Sequence, residues 1–245
     1  MMTTAEIQAA LKALGYDPGP LDGKPGPKPT AAVKHFQQDN DLVADGVFGP
    51  KTQAALLAAV EPHLPPVQGG LTRGALVPSP WLPNVKMKGV VFHWTGGAYK
   101  AGGLEKSRYH IIIEGSGNLV RGVDIVKNAA PLSEGYAAHT KGHNTGIIGV
   151  SLACMAGAKE SPFNAGSAPM TPAQWAALPP VLADLCRIYR ISPTRQNVLS
   201  HAEVQSTLGI KQNGKWDVAW VPGMLKPGDA HVLGDQVRSA VARLI

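Results

Sequence analysis

The chain has 245 residues, 44% of them apolar and 16% charged, with 28 Gly, 21 Pro and two Cys. At roughly 150 residues per domain that length allows one large domain or two smaller ones; the apolar content excludes wholesale disorder, and two cysteines exclude a disulfide scaffold or a Cys-rich zinc site. The net charge of +6 divides into −2 over residues 1–70 and +8 over residues 71–245, so the body suits an anionic partner, with nucleic acid the weaker reading because no Lys/Arg run exceeds two residues.

The first fourteen residues, MMTTAEIQAALKAL, have no basic start, and Glu6 sits where a signal peptide would be apolar. The longest nearly apolar run, Ile147 to Ala158, is too short to span a bilayer. These features lead to the expectation of a soluble chain made in the cytoplasm; if it acts outside, something else must release it. Over residues 4–60 the spacing predicts three short helices. Ile7, Leu11 and Leu14 share one face, as do Val33 and Phe36. Between the helices an internal repeat stands out: Asp22-Gly-Lys-Pro-Gly-Pro-Lys-Pro-Thr30 echoes Asp45-Gly-Val-Phe-Gly-Pro-Lys-Thr52, with Pro29 as the extra residue. Asp-Gly and Gly-Pro pairs make turns, and Thr30 and Thr52 are placed to cap the helices that follow.

This segment resembles the peptidoglycan-binding domain found in many cell-wall hydrolases. The resemblance rests on Leu14-Gly-Tyr-Asp-Pro-Gly-Pro-Leu-Asp-Gly23, on His35-Phe-Gln37 and on Asp45-Gly-Val-Phe-Gly-Pro-Lys-Thr52. It implies a domain over residues 1–62 whose partner is peptidoglycan.

Residues 61–75 hold three prolines and three glycines and read as a linker, with a second domain over residues 76–245 after a linker at 63–75. Gly89-Val-Val-Phe-His-Trp94 is a short apolar run, a buried-strand candidate. Tyr109-His-Ile-Ile-Ile-Glu114, a Gly/Ser/Asn turn and Leu119-Val-Arg-Gly-Val123 suggest a hairpin. Ile147 to Cys154 is a third buried strand. Thr171-Pro-Ala-Gln174 starts a helix with a capping box, and Pro179-Pro180 should kink or split it. Asn197 to Ser200 reads as a last short strand and residues 233–244 as a terminal amphipathic helix. The expected fold class is therefore α/β, a mixed central sheet flanked by helices, preceded by the three-helix domain.

Of eight histidines, His35, His63 and His231 suit surface or capping roles, and His110, next to Tyr109 on a strand, should face away from it. His93 and His201 differ, because each ends an apolar stretch where a strand meets a loop. With Asp217 they make a His/His/carboxylate set, the inventory of a catalytic zinc site with three protein ligands and an open position. Asp229 is a rival for the third place. Cys154 and Cys186 lie in apolar patterns and read as buried thiols.

Residues 89–225 resemble the zinc-dependent N-acetylmuramoyl-L-alanine amidases, the family shared by short phage lysozymes and animal peptidoglycan recognition proteins. The resemblance is carried by Val91-Phe-His-Trp-Thr95, Ser107-Arg-Tyr-His-Ile-Ile-Ile113, Ala138-His-Thr-Lys-Gly-His-Asn144, Ile148-Gly-Val-Ser-Leu152, Thr171-Pro-Ala-Gln-Trp175, Leu199-Ser-His-Ala-Glu-Val204 and Lys215-Trp-Asp217, in the family's order. It implies that His93, His201 and Asp217 bind a zinc ion (Zn2+), that Lys215 is the catalytic lysine and that Tyr109 assists. It gives His139 and Asn144 a place lining the substrate groove or orienting its loop. Other branches carry a Glu where this chain has Ser151, which points to the tyrosine-assisted branch. Gly96, Gly97, Gly102 and Gly103 stand where many relatives carry a helix, so one wall of the cleft is expected to be reduced. The implied activity is hydrolysis of the bond between N-acetylmuramic acid and L-alanine by a modular, endolysin-like enzyme, expected as a monomer. The alternatives are a non-catalytic peptidoglycan receptor, a bacterial autolysin or recycling amidase, and a glycosidase, which needs paired carboxylates in a matching motif.

Overall fold

The computed structural model describes residues 4–60 and 76–245, and the linker expected at 63–75 lies outside the described residues. The chain divides into two compact units, Met1–Pro66 and Val67–Ile245.

The first unit contains α1 (Thr4–Ala13), α2 (Pro27–Asp39) and α3 (Pro50–Val60). Leu11, Val33, Phe36 and Leu56 are buried at its centre, with Ile7, Leu14, Tyr16 and Phe48 packed around them. The sequence repeat has a physical cause. Each Asp-Gly turn is clamped by a buried glutamine on the helix before it. Gln8 receives the Gly23 N–H at 2.9 Å and donates to Asp22 at 3.3 Å and to the Lys24 carbonyl at 3.1 Å. Gln37 receives the Gly46 N–H at 2.8 Å and donates to Asp45 at 2.9 Å and to the Val47 carbonyl at 3.0 Å. Gly23 and Gly46 take φ of 72° and 75°, which glycine adopts freely. Thr30 and Thr52 are not caps. Both helices begin three or two residues earlier, at Pro27 and Pro50, because proline's fixed φ suits the first helical position. Thr30 instead donates to the Gly26 carbonyl at 2.9 Å, and Thr52 accepts from Gln37 at 3.0 Å.

The second unit is built on a five-stranded sheet of β1 (Gly89–Trp94), β2 (Ile111–Ile113), β3 (Leu119–Arg121), β4 (Ile147–Leu152) and β5 (Val198–Ser200), in the order β3-β2-β4-β1-β5. β1 is parallel to both β4 and β5, β2 is parallel to β4, and β2 and β3 form the expected antiparallel hairpin. β1, β2, β4 and β5 are buried throughout, as their near-continuous apolar runs require. The helices are α4 (Gly103–Arg108), α5 (Pro172–Tyr189), α6 (His201–Leu208) and α7 (Ala230–Leu244). Among the described residues none is long and apolar enough to cross a membrane.

Two expectations are corrected. α5 runs unbroken through Pro179 and Pro180. The ladder bonds those residues cannot donate are outweighed by burial of Leu178, Val181, Leu182 and Leu185 along the same helix. Its start is locked as the sequence indicates, with Thr171 and Gln174 bonded reciprocally at 3.1 and 3.0 Å. The glycine-rich stretch after β1 also does form a helix, α4. Glu105 closes it by accepting the Gly102 N–H at 2.9 Å, so two glycines at its start are tolerated.

Candidate metal centre

The sheet register explains how distant residues meet. Phe92 pairs with Ser200, so the next step along the two parallel strands sets His93 beside His201, 108 residues away in sequence. Both lie at the carboxyl ends of their strands, where open α/β sheets place ligands. Ser200 ends β5 and opens α6, whose first turn is fixed by Glu203 accepting the Ser200 N–H at 2.8 Å. Glu203 is fully buried and paired with Arg238 of α7 at 2.7 Å, while Arg238 also donates to the Val198 carbonyl at 2.7 Å. This network holds His201 rigidly at the head of α6.

His93, His201 and Asp217 converge, with relative exposures of 0%, 5% and 6%. His93 Nδ1 lies 3.0 Å from His201 Nδ1, His201 Nδ1 lies 3.1 Å from Asp217 Oδ2, and His93 Nδ1 lies 3.5 Å from the same oxygen. For metal–ligand bonds of about 2.0–2.1 Å, the edge of a coordination tetrahedron is about 3.3 Å. The three atoms therefore outline one face of such a tetrahedron, and the donor set of two imidazoles and a carboxylate suits zinc. Asp229, the rival ligand, is engaged elsewhere: its Oδ1 caps α7 by accepting the His231 N–H at 2.7 Å.

His201 and Asp217 stand on the wall of a cleft of about 760 Å³, lined also by Trp94, Leu104, Arg108, Tyr109, Lys141 and Lys215, and His93 is buried directly behind them. Lys215 is exposed on the loop that ends at Asp217. The Tyr109 ring centroid is 5.2 Å from that of His93. Burial, reinforced by the Asp217 charge, raises the Tyr109 phenol to about 12, so it is a neutral donor at physiological pH. Burial pushes Asp217 upward, but its close contacts with the His201 and His93 imidazoles outweigh it and hold the carboxyl well below its usual range. Burial depresses His93 to about 4.

His139 lines the cleft floor, buried against His93 with 3.2 Å between His139 Nδ1 and His93 Nε2. Asn144 shapes the loop below it, its Oδ1 accepting the N–H groups of His139 and Thr140 at 3.2 and 3.0 Å. Ser151 is buried beside His93 in the register. The sequence reading missed Gln212. It is buried, and its Oε1 lies 3.0 Å from His201 Nε2. It sits in a polar loop where no periodicity or motif signals a structural role. Cys154 and Cys186 are buried free thiols, both pushed upward in pKa by burial, Cys186 to about 11. His35 is exposed, and His63 lies outside the described residues. His231 Nε2 contacts Ser206 at 2.8 Å.

His110 gives a test of this packing that needs no substrate. It is buried, accepts the Gly149 N–H on Nδ1 at 2.8 Å, and burial depresses it to about 4 from an ordinary 6.5. Between those values the unfolded chain binds the extra proton, so stability is full above about pH 6.5 and is lost as pH falls toward 4. The expected loss from His110 alone is about 2 kcal/mol between pH 7 and pH 5. His139 shifts in the same direction, also chiefly by burial. All five tryptophans lie in the second unit. Urea unfolding of chelator-treated protein, followed by tryptophan fluorescence, should show a midpoint clearly lower at pH 5; equal midpoints would refute the assignment of a neutral buried imidazole.

The family model described as "N-acetylmuramoyl-L-alanine amidase" matches residues 83–223, more than half of the chain. The chain belongs to this amidase family. A second model, "Putative peptidoglycan binding domain", matches residues 3–56. The chain is 44% identical over 62 residues to the "Probable N-acetylmuramoyl-L-alanine amidase" of Bacillus licheniformis, a match covering 23% of this chain and 18% of that protein. It is 44% identical over 55 residues to the "Putative OxPP cycle protein OpcA" of Synechocystis sp., covering 22% of this chain and 12% of that one. The matches thus span less than a fifth of either relative. Among solved structures, the endolysin amidase LysCS of Clostridium intestinale is similar at 17% identity and a TM-score of 0.33, covering 52% of this chain and 87% of that one. The amidase match contains His93, His201, Lys215 and Asp217, so the candidate trio and the lysine fall within the matched residues.

Proposed function

We propose that the chain is a zinc-dependent amidase that hydrolyses the bond between the lactyl group of N-acetylmuramic acid and L-alanine in peptidoglycan. The first unit would hold the chain on that polymer, giving a modular, endolysin-like wall hydrolase. The observation that carries the reading is the convergence of His93, His201 and Asp217 at tetrahedral-edge distances, with His201 and Asp217 on the wall of an open cleft.

Zinc at such a site supplies a Lewis acid and lowers the pKa of a water molecule to about 7. The chain's own residues then have separable roles. His93, His201 and Asp217 hold the ion. The Lys215 ammonium, exposed on the cleft wall, stabilises negative charge developing on the scissile carbonyl oxygen. The Tyr109 phenol, kept protonated by burial, donates a hydrogen bond to the same region and orients the attacked group. Trp94, Leu104 and Trp216 form an apolar side of the cleft, and Trp216 is fixed edge-to-face on Trp94 at 4.6 Å. A glycosidase reading finds little support, since Asp217 belongs to the metal trio and Glu105, the other carboxylate lining the cleft, is tied to the Gly102 N–H.

The test is mass spectrometry of purified peptidoglycan after digestion, with and without chelator. The expected products are new L-alanine amino termini with no new reducing ends, formed only without chelator. New reducing ends would favour glycosidase chemistry, and a chain that sediments with sacculi but releases nothing would favour a receptor.

A further inference from the structure

We propose that His139 and Gln212 are positioning residues that decide which ring nitrogen His93 and His201 present to the metal, and that Gly149 is the recess that admits His139. The inference rests on the zinc reading above and extends it from the three ligands to the groups behind them.

A neutral imidazole carries one proton, and the nitrogen bearing it cannot bind a cation. The partner of the other nitrogen therefore selects the ligand atom. Behind His201 stands the Gln212 amide. Its Nε2 donates to the Lys141 carbonyl at 2.9 Å and to the Ile210 carbonyl at 3.3 Å, which orients the side chain. Oε1 then faces His201 Nε2 at 3.0 Å and can only accept, so the proton sits on Nε2 and Nδ1 is left for the metal. The Gln212 side chain is itself secured at the backbone, where its N–H donates to Gln205 at 2.8 Å.

A second chain of bonds reaches the same result behind His93. His139 Nε2 faces the Ile147 carbonyl at 3.4 Å, which can only accept, so the His139 proton is on Nε2. His139 Nδ1 is then an acceptor. It lies 2.8 Å from the Thr140 hydroxyl and 3.2 Å from His93 Nε2. The single hydroxyl proton of Thr140 goes to the nearer nitrogen, His139 Nδ1, since His93 Nε2 is 3.4 Å away. His93 Nε2 therefore carries its proton as a donor and Nδ1 faces the metal. Both chains end on backbone carbonyls, which cannot change protonation state.

The recess is independent support. Gly149 sits in the fully buried strand β4, where glycine weakens a strand and marks a close approach. A Cβ built there would lie 2.6 Å from the Cγ and Cδ2 atoms of the His139 ring. No residue with a side chain fits at position 149 unless the His139 ring moves.

The test uses the full zinc-loaded chain and two readouts, zinc affinity by chelator competition and the imidazole N–H signals by proton NMR. The variants are Gln212→Met, His139→Phe and Gly149→Ala. Each should weaken zinc binding about 10–100-fold, the usual scale for losing an outer partner of a ligand. The wild type should show the imidazole protons of both His93 and His201 protected from exchange. Gln212→Met should expose only that of His201, and His139→Phe and Gly149→Ala only that of His93. A purely structural defect would move both signals together. Gln212 lies in a loop outside the sheet, so its variant keeps the question open to refutation if a strand variant fails to fold. Zinc affinity within about twofold of wild type with both protons still protected would overturn the proposal while leaving the metal site intact. Absence of zinc binding in the wild type would instead overturn the underlying reading, and this inference with it.

Discussion

Substituting alanine for His93 or His201 is expected to take the purified protein from about one zinc per chain to none, and to remove amide hydrolysis with it. The two histidines supply two of only three ligand atoms, and each is almost fully buried at its position. Removing one leaves an imidazole and a carboxylate, too few to hold the ion against water. Asp217 would then lose one of the two imidazole contacts that keep its carboxyl ionised against burial. The expected result is a folded but metal-free chain, checked by atomic absorption and far-UV circular dichroism on the same sample. Asp229→Ala is the informative comparison, because Asp229 caps α7 and touches none of the trio. It should cost about 1 kcal/mol of stability as a lost cap and leave zinc unchanged. Full activity in a zinc-free His201→Ala preparation would refute the metal reading.

The parts of this architecture that could be read from the sequence are those written in local signals. β1, β4 and β5 are short apolar runs, and runs of that kind must be buried wherever they fall. The helices of the first unit are announced by period, and its turns by Asp-Gly pairs that left-handed glycines require. His93 and His201 stand out in the sequence because each ends an apolar stretch, and Asp217 and Lys215 because they share the Lys-x-Asp stretch of the family resemblance. Spacing alone would not have joined residues 108 apart; the parallel register of β1 and β5 does that.

What the sequence hid has physical reasons too. The two prolines of α5 look like a break because propensity counts lost hydrogen bonds locally, whereas the helix is held by apolar burial along its whole length. Thr30 and Thr52 look like caps because the turn chemistry is right, but proline sets the helix start ahead of them. Gln212 left no trace, since a lone glutamine in a polar loop acquires meaning only when Lys141 and His201 are brought to it from other parts of the chain. Gly149 is similar: inside an apolar strand it reads as a neutral small residue, and only the His139 ring above it shows why nothing larger fits.

Lys215→Ala should separate chemistry from metal binding. The variant is expected to keep zinc and its fold while turnover falls about 10²–10³-fold, the scale for removing one group that stabilises an oxyanion. The argument is geometric. Lys215 is followed directly by two anchored residues, Trp216 packed edge-to-face on Trp94 at 4.6 Å and Asp217 with its Oδ2 3.1 Å from His201 Nδ1. The turn that leads to it is set by Asn213 and Gly214, with φ of 55° and 71°. Its backbone is thus fixed beside the metal trio, while its side chain extends into the cleft with no ion pair among the described residues. An ammonium held this way interacts little with a neutral amide and strongly with the charge that develops on its oxygen. The loss should therefore appear in kcat, with KM changed far less. Lys215→Arg keeps the charge but replaces a compact ammonium with a broad planar group, and should recover only part of the rate. Steady-state kinetics on a soluble muropeptide would decide the matter. Near-normal kcat in Lys215→Ala would make the residue part of the cleft's surface and nothing more, and would shift the assignment of the stabilising donor to Tyr109.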